Sequence, residues 1–415
     1  MHNFPLLVSP AGNLEKLKAA VRYGAHEVYF GGEGFNLRSQ AGNIGQAEME
    51  EACSFAHAHG ARTVFLLNSF LHESDIPAAR EYLRAVAAFP FDALMVSDPG
   101  MLMLVRDEGV SAPIHLSTQM STLNHLAIKF WTGLGVTRIV LAREVTLEEV
   151  KRIREHTDAE LEMFVHGALC VSYSGRCLLS RYMTGRDANR GSCAHPCRWR
   201  YTLTEESRPG EEFEIVEHER GTEILSSKDL CLIETLPDYV RAGVSAFKIE
   251  GRMKSLYYAA NVTRVYRHAL DTIAAGGDYA ARLPFWRREL DLVSHRPYTA
   301  DLFNEFGKGG FDGVPYVNNA VFMAAWEGAG ADTHTARMKA FNPVYAGDVL
   351  DAIYPVQDDR VHDGPLVVTE IHDGEKSVAM AEPAGVYRFS FNGPVREGCI
   401  LRKRAAAYQG DSHAR

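Results

Sequence analysis

The chain has 415 residues, enough for one barrel-sized domain and a smaller one. Its formal net charge of -9 excludes a uniformly basic nucleic-acid binder, although a local basic patch can still grip phosphate. It opens Met-His-Asn-Phe with none of the marks of a secretory signal, and no stretch approaches the ~20 apolar residues that span a bilayer, so a cytoplasmic chain with reduced thiols and no membrane insertion is expected.

From the start, short apolar strands alternate with amphipathic helices. Leu6 to Val8 is followed by a helical pattern (Leu14, Leu17, Ala20, Val21) that stops at Gly24. Val28 to Phe30 follows, then Thr63 to Leu67, Ala93 to Val96, Ile114 to Leu116, Arg138 to Leu141, Leu161 to Val165 and Ala246 to Ile249, eight strands in all. Thr146 with Glu149 three residues on predicts a capping box at the helix over 147–156. Strict alternation implies a parallel sheet, and eight units predict a (β/α)8 TIM-like barrel; no G-x-G-x-x-G opens the first helix, which counts against a doubly wound sheet.

In such a barrel the strand C-terminal ends converge on one mouth. Here they read Asn68, Asp98, Gln119, Arg143-Glu144, His166 and Lys248-Ile249-Glu250-Gly251-Arg252, with Lys254 just beyond. Some of these have a plainer reading: Asp98 before Pro99 is an N-cap, and Glu144 is a partner for Arg143. As a set they make a polar mouth with enough cations to hold an anionic small molecule, and His166, Glu250 and Arg143 are its catalytic candidates.

About eighty residues separate the seventh strand from the eighth, far more than an ordinary barrel loop, so an insertion over 168–228 sits on the active face. It carries Cys170, Cys177, Cys193 and Cys197, four of the seven cysteines, with Cys231 a fifth candidate farther on. A reducing compartment disfavours a disulfide framework. Zinc would accept four thiolates, or three with His195, though the six-residue gap is wide for a knuckle; an iron-sulfur cluster tolerates irregular spacing; a nucleophilic Cys170 or Cys177 is the remaining reading. Cys53 and Cys399 read as buried apolar residues. Arg176, Arg181, Arg186, Arg190, Arg198 and Arg200 are interleaved with Tyr173, Tyr182, Trp199 and Tyr201, a mixture that clamps phosphates and stacks on unpaired bases or simply forms a solvated surface. Residues 205–220 are acidic and turn-rich, an expected hairpin.

The boundaries expected are a barrel over 1–275, a connector over 276–333 with a helical patch at Trp286 to Val293, a small all-β barrel over 334–405, where short alternating runs are separated by turns such as Asn392-Gly393, and a disordered tail over 406–415.

The run Phe164-Val-His-Gly-Ala-Leu-Cys170, Ser174-Gly-Arg-Cys177, Arg186-Asp-Ala-Asn-Arg-Gly191-Ser-Cys193-Ala-His-Pro-Cys197-Arg-Trp199 resembles the collagenase-like peptidase family U32, as do Ser9-Pro-Ala-Gly-Asn13, Ser97-Asp-Pro-Gly100, Ser226-Ser-Lys-Asp-Leu230 and Lys248-Ile-Glu-Gly-Arg252. The resemblance spans nearly the whole chain and includes the C-terminal β-domain. It implies one of three activities: hydroxylation of tRNA wobble uridine to 5-hydroxyuridine, linked to prephenate; hydroxylation of a ribosomal RNA cytidine, or ubiquinone-type hydroxylation by a protein pair; or the proteolysis that named the family. The tRNA branch looks most similar. By the same resemblance a 4Fe-4S cluster is carried onto Cys170, Cys177, Cys193 and Cys197, with Cys231 the alternative fourth ligand and zinc the alternative metal. Arg176, Arg186, Arg190, Arg198 and Trp199 would then contact RNA, Arg143, Lys248, Arg252 or Lys254 would hold the anionic co-substrate, and a paralogous subunit is a further expected partner.

Overall fold

The computed structural model describes residues 4–38, 42–170, 172–198, 228–300, 316–355 and 364–405, with strand fragments at 203–204, 212–213, 216–218 and 221–223. Trp199, most of the 205–220 segment and the 406–415 tail lie outside the described residues, as does the side chain of Arg198.

All eight expected strands form, and they close. β1 (Leu6–Pro10), β2 (Glu27–Gly31), β3 (Arg62–Leu67), β4 (Ala93–Val96), β5 (Ile114–Leu116), β6 (Val136–Val140) and β7 (Glu160–Ala168) run parallel in sequence order. Strand Ala246–Ile249 completes the ring, pairing with β1 through Leu6↔Ala246 and with β7 through Phe247↔Met163. Helices α1 (Leu14–Arg22), α2 (Gln46–Ala58), α3 (Ile76–Val86), α4 (Pro99–Asp107), α5 (His125–Gly133) and α6 (Leu147–Arg154) follow β1 to β6 in turn. Their inward stripes keep helical spacing; α3, for example, buries Ala79, Leu83 and Val86. At α6 the expected box is present, Glu149 N donating to Thr146 Oγ1 at 3.4 Å and Thr146 N donating to Glu149 Oε2 at 2.7 Å.

The barrel interior is not apolar throughout. Arg138 donates to both carboxylate oxygens of Glu27, at 2.5 and 3.1 Å, and its Nη1 also reaches Glu162 at 3.3 Å; Lys248 Nζ donates to the other oxygen of Glu162 at 2.7 Å. These four side chains are almost wholly buried. Burial alone would raise the Glu162 carboxyl, but Lys248 and Arg138 outweigh it and hold it at about 2. His115, also buried, is pushed the other way: loss of water and the nearby Arg138 charge bring it down to about 3, so it is neutral.

After β7 the chain makes its excursion, which includes α7 (Leu179–Thr184), and returns as strand Asp229–Cys231. That strand runs antiparallel to the end of β7, with Asp229 opposite Ala168 and Cys231 opposite His166, a pairing the sequence pattern did not announce. It is pinned by Arg296, whose Nε donates to Asp229 Oδ1 at 2.9 Å, and by a parallel pairing with Tyr298–Thr299. Helix α8 (Leu236–Arg241) then leads to the eighth barrel strand.

The chain divides into two compact units, Met1–Val21 with Ala25–Lys254 and Arg296–Tyr316, and Arg22–Gly24 with Ser255–His295 and Val317–Arg415. The cuts differ from the expected boundaries because α9 (Leu256–Ala274) and α10 (Tyr279–Asp291) are knitted into the second unit by one buried carboxylate. Glu289 accepts from Arg264 at 2.6 Å and from both ends of the Arg402 fork at 2.8 Å. The strands of that unit close a separate antiparallel barrel in the order 349–353, 400–404, 320–329, 335–340, 386–391, 364–373 and back to 349–353. Met338, Leu350, Val368, Phe389 and Leu401 fill it.

Candidate active site

The eighth strand ends in a bulge, the register against β7 shifting between Lys248 and Ile249. The bulge brings the Glu250 backbone hard against β7. A Cβ on Gly167 would sit 2.3 Å from Glu250 O, and Gly167 itself has φ +106°, so only glycine fits. Gly12 plays the same part on the other side, where a Cβ would lie 2.2 Å from Arg252 O.

With the backbone so placed, three cations enter the mouth, each held differently. Lys248 is tied down to Glu162 and lies under the Tyr29 ring, 4.1 Å from its centroid. Arg143 stacks on Phe164 at 4.3 Å and stands 3.7 Å from Glu250. Arg252 is buried, and among the described residues it has no carboxylate at ion-pair distance. Its fork is held instead by two amide oxygens, Asn36 Oδ1 at 3.0 Å and Asn43 Oδ1 at 2.7 Å, while its buried Nε has no partner among the described residues. Burial pulls this guanidinium down to about 10. Tyr29 donates to Ile249 O at 2.8 Å, and burial and Glu250 raise its phenol well above the ordinary value.

Asn68, Gln119, Arg143, Lys248, Glu250 and Arg252 line one cavity, and Cys170, Cys177, Cys193 and Cys197 line the same cavity from the insertion. None of the four is joined in a disulfide. His195, at φ +55°, turns the chain between Cys193 and Cys197. Burial raises the Cys193 thiol, a hydrogen bond from His195 N at 3.4 Å lowers it, and the nearby Cys177 and Cys170 raise it again. Among the described residues no three His, Cys, Asp or Glu side chains converge as a single metal ion would require.

The excursion is fastened over the mouth by polar contacts from several strand ends. Glu144 accepts from Ser174 N at 2.7 Å and Ser174 Oγ at 2.5 Å. Arg176 Nε donates to Gln119 O at 2.7 Å, and Asn189 joins the Cys177 backbone through both its amide nitrogen, at 3.0 Å, and its oxygen, at 3.4 Å.

Several expected residues therefore do other work. Glu144 serves Ser174 rather than Arg143, because its carboxylate meets an amide and a hydroxyl at shorter range. Asp98 caps α4, accepting from Gly100 N at 2.6 Å, and takes Leu71 N at 3.1 Å. Lys254 lies 3.7 Å from Asp229 and over the Tyr316 ring. His166 is buried, 5.2 Å from the Tyr298 ring. Asp98, Glu144, Lys254, His166 and Cys231 are outside the cavity lining. On the insertion, Arg176 is engaged as above and Arg190 holds Asp75 with two contacts of 2.8 Å, whereas Arg186 is exposed and Tyr182 is 86% exposed. Tyr29, Asn36 and Asn43 complete the site without having been foreseen; the asparagines lie in the aperiodic loop after β2.

Comparison with known proteins fits these observations. The profile of peptidase family U32 matches residues 12–308. The chain is 35% identical over 404 residues to tRNA hydroxylation protein P1 of Bacillus subtilis, covering 96% of this chain and 94% of that protein. It is 37% identical to tRNA hydroxylation protein P of Escherichia coli, with 71% and 73% covered, and 32% identical to a collagenase of Porphyromonas gingivalis, with 70% and 72% covered.

Proposed function

The chain belongs to peptidase family U32, and from that premise we propose that it is an RNA-modifying hydroxylase converting the wobble uridine of tRNA to 5-hydroxyuridine. The observation that carries this reading is the shared cavity, lined by a cationic barrel mouth and by four cysteines outside any disulfide.

The cation that most needs a partner is Arg252. A buried charge without a counter-ion is costly, and amide oxygens compensate it only in part. An anionic co-substrate such as prephenate would supply the missing carboxylate, with Arg143 and Lys248 beside it and Glu250 steering Arg143. The arginine-and-tyrosine surface of the insertion, with Arg186 and Tyr182 exposed, would meet the RNA by phosphate contact and base stacking.

Cys170, Cys177, Cys193 and Cys197 would hold a 4Fe-4S cluster, which supplies a one-electron carrier at the substrate. All four line the one cavity, where a shared centre would have to sit, and zinc is the alternative metal. The test is nucleoside mass spectrometry of tRNA from a deletion strain. Loss of 5-hydroxyuridine, restored by the wild-type gene but not by Arg252→Ala, is the expected result; intact 5-hydroxyuridine together with lost gelatin cleavage would replace this reading with the peptidase.

A further inference from the structure

We propose that the C-terminal barrel carries an RNA-backbone contact of its own, on the outer face of strands Thr335–Ala340 and Val386–Phe391, centred on Arg337 and Arg388. The inference rests on the RNA-enzyme reading above and adds a surface to it.

Both arginines are exposed, and the antiparallel register sets them directly opposite each other. Side chains so placed have Cβ atoms about 4.5–5.5 Å apart, and like charges there destabilise a sheet. Among the described residues neither guanidinium has an ion-pair partner. The row extends on both sides. Lys339, two residues along the same face, lies over the Phe341 ring at 5.5 Å, and in the next ladder His372 stands opposite Arg388. Glu370 and Glu327 are the exposed acidic residues nearest in register, opposite Ser390 and in the bulge beside Arg337 respectively, and neither forms an ion pair with the arginines among the described residues.

The far side of the same ring shows that this pattern is not simply what exposed cations do here. Strands 349–353 and 400–404 lie across the barrel from the arginine strands. There Lys403 is matched by Asp348 at 2.7 Å and Arg404 by Asp351. One side neutralises its cations; on the other, Arg337 and Arg388 stand opposite each other on adjacent strands with no ion-pair partner among the described residues. Such a row suits a repeating anion. It does not suit a protein partner, because Val386 is the only large apolar side chain exposed on these two strands and provides no buried anchor.

The experiment measures binding of bulk tRNA to the full-length protein across a salt series, for the wild type, R337E/R388E, R388E alone and K403E on the far side. R337E/R388E should bind at least about tenfold more weakly at about 0.1 M salt, with a log-log salt slope shallower by about 2. R388E alone should weaken binding without lowering Tm, since it turns an opposed like pair into an opposite one. K403E should leave affinity within about twofold. Unchanged affinity and slope in R337E/R388E, with the wild type binding, would overturn this inference and leave the RNA reading intact. An equal loss in K403E would overturn it in favour of net charge. No binding of tRNA by the wild type would overturn both.

Discussion

Lys248 and Glu162 share a 2.7 Å hydrogen bond at the point where the buried charge network of the barrel meets the cavity. The ammonium is thus both a structural counter-ion and a wall of the site. Removing either partner leaves a buried charge short of compensation, so Lys248→Met and Glu162→Gln should each cost about 3 kcal/mol. The double variant should cost well below the sum, and urea unfolding in a double-mutant cycle measures the coupling.

The same network makes stability depend on pH with a definite sign. His115 is held neutral in the fold down to about 3, whereas in the unfolded chain it takes a proton near its ordinary value. The unfolded state therefore binds more protons between those limits, and stability falls as pH drops from about 6.5 toward 3, by up to about 1.4 kcal/mol per unit. Glu162, held at about 2, adds a loss that begins below its unfolded value near 4.5 and is complete only beneath its folded one. His115→Gln should flatten the first part of the curve and leave the second.

Gly167→Ala tests the bulge. Its methyl would meet Glu250 O at 2.3 Å at a φ that alanine avoids, and the eighth strand would have to yield. A loss of about 2 kcal/mol or more is expected, with Tm as the readout.

The cysteines separate by their place. After anaerobic purification, Cys177→Ser and Cys193→Ser should lower iron from about four per chain to below one, while Cys231→Ser, on the strand opposite His166, should retain it. Iron kept by the first two, or one zinc and no colour in the wild type, would contradict the ligand set.

Arg252→Lys keeps a charge but loses the planar fork that Asn36 and Asn43 hold. Affinity for the anionic co-substrate should fall by about 10- to 100-fold, read as a rise in KM before any change in kcat.

The alternation of apolar strands with helices at 3.6-residue spacing made the barrel legible, and polar strand ends led directly to Asn68, Gln119, Arg143, Lys248, Glu250 and Arg252. What stayed hidden is long-range. Nothing local links Glu144 to Ser174, Arg190 to Asp75 or Asp229 to Arg296, because each pair is set by where the excursion lands. Charged residues inside otherwise apolar strands, Arg138 and Glu162, did carry a signal: a charge in a buried strand needs a partner across the ring. Asn36 and Asn43 had none, since amides in a turn-rich loop ordinarily serve the turn itself.

The excursion leaves the barrel at Ala168 and re-enters it at Asp229, and these two residues face each other in one ladder. Its two ends thus stand as close as those of a hairpin, whatever length of chain lies between them. A lineage could lengthen, shorten or exchange residues 169–228 without asking the eight-stranded ring to change its register. The barrel is then a socket into which different thiol-bearing cassettes can be fitted, and new substrates can be sampled without the protein having to reinvent its fold.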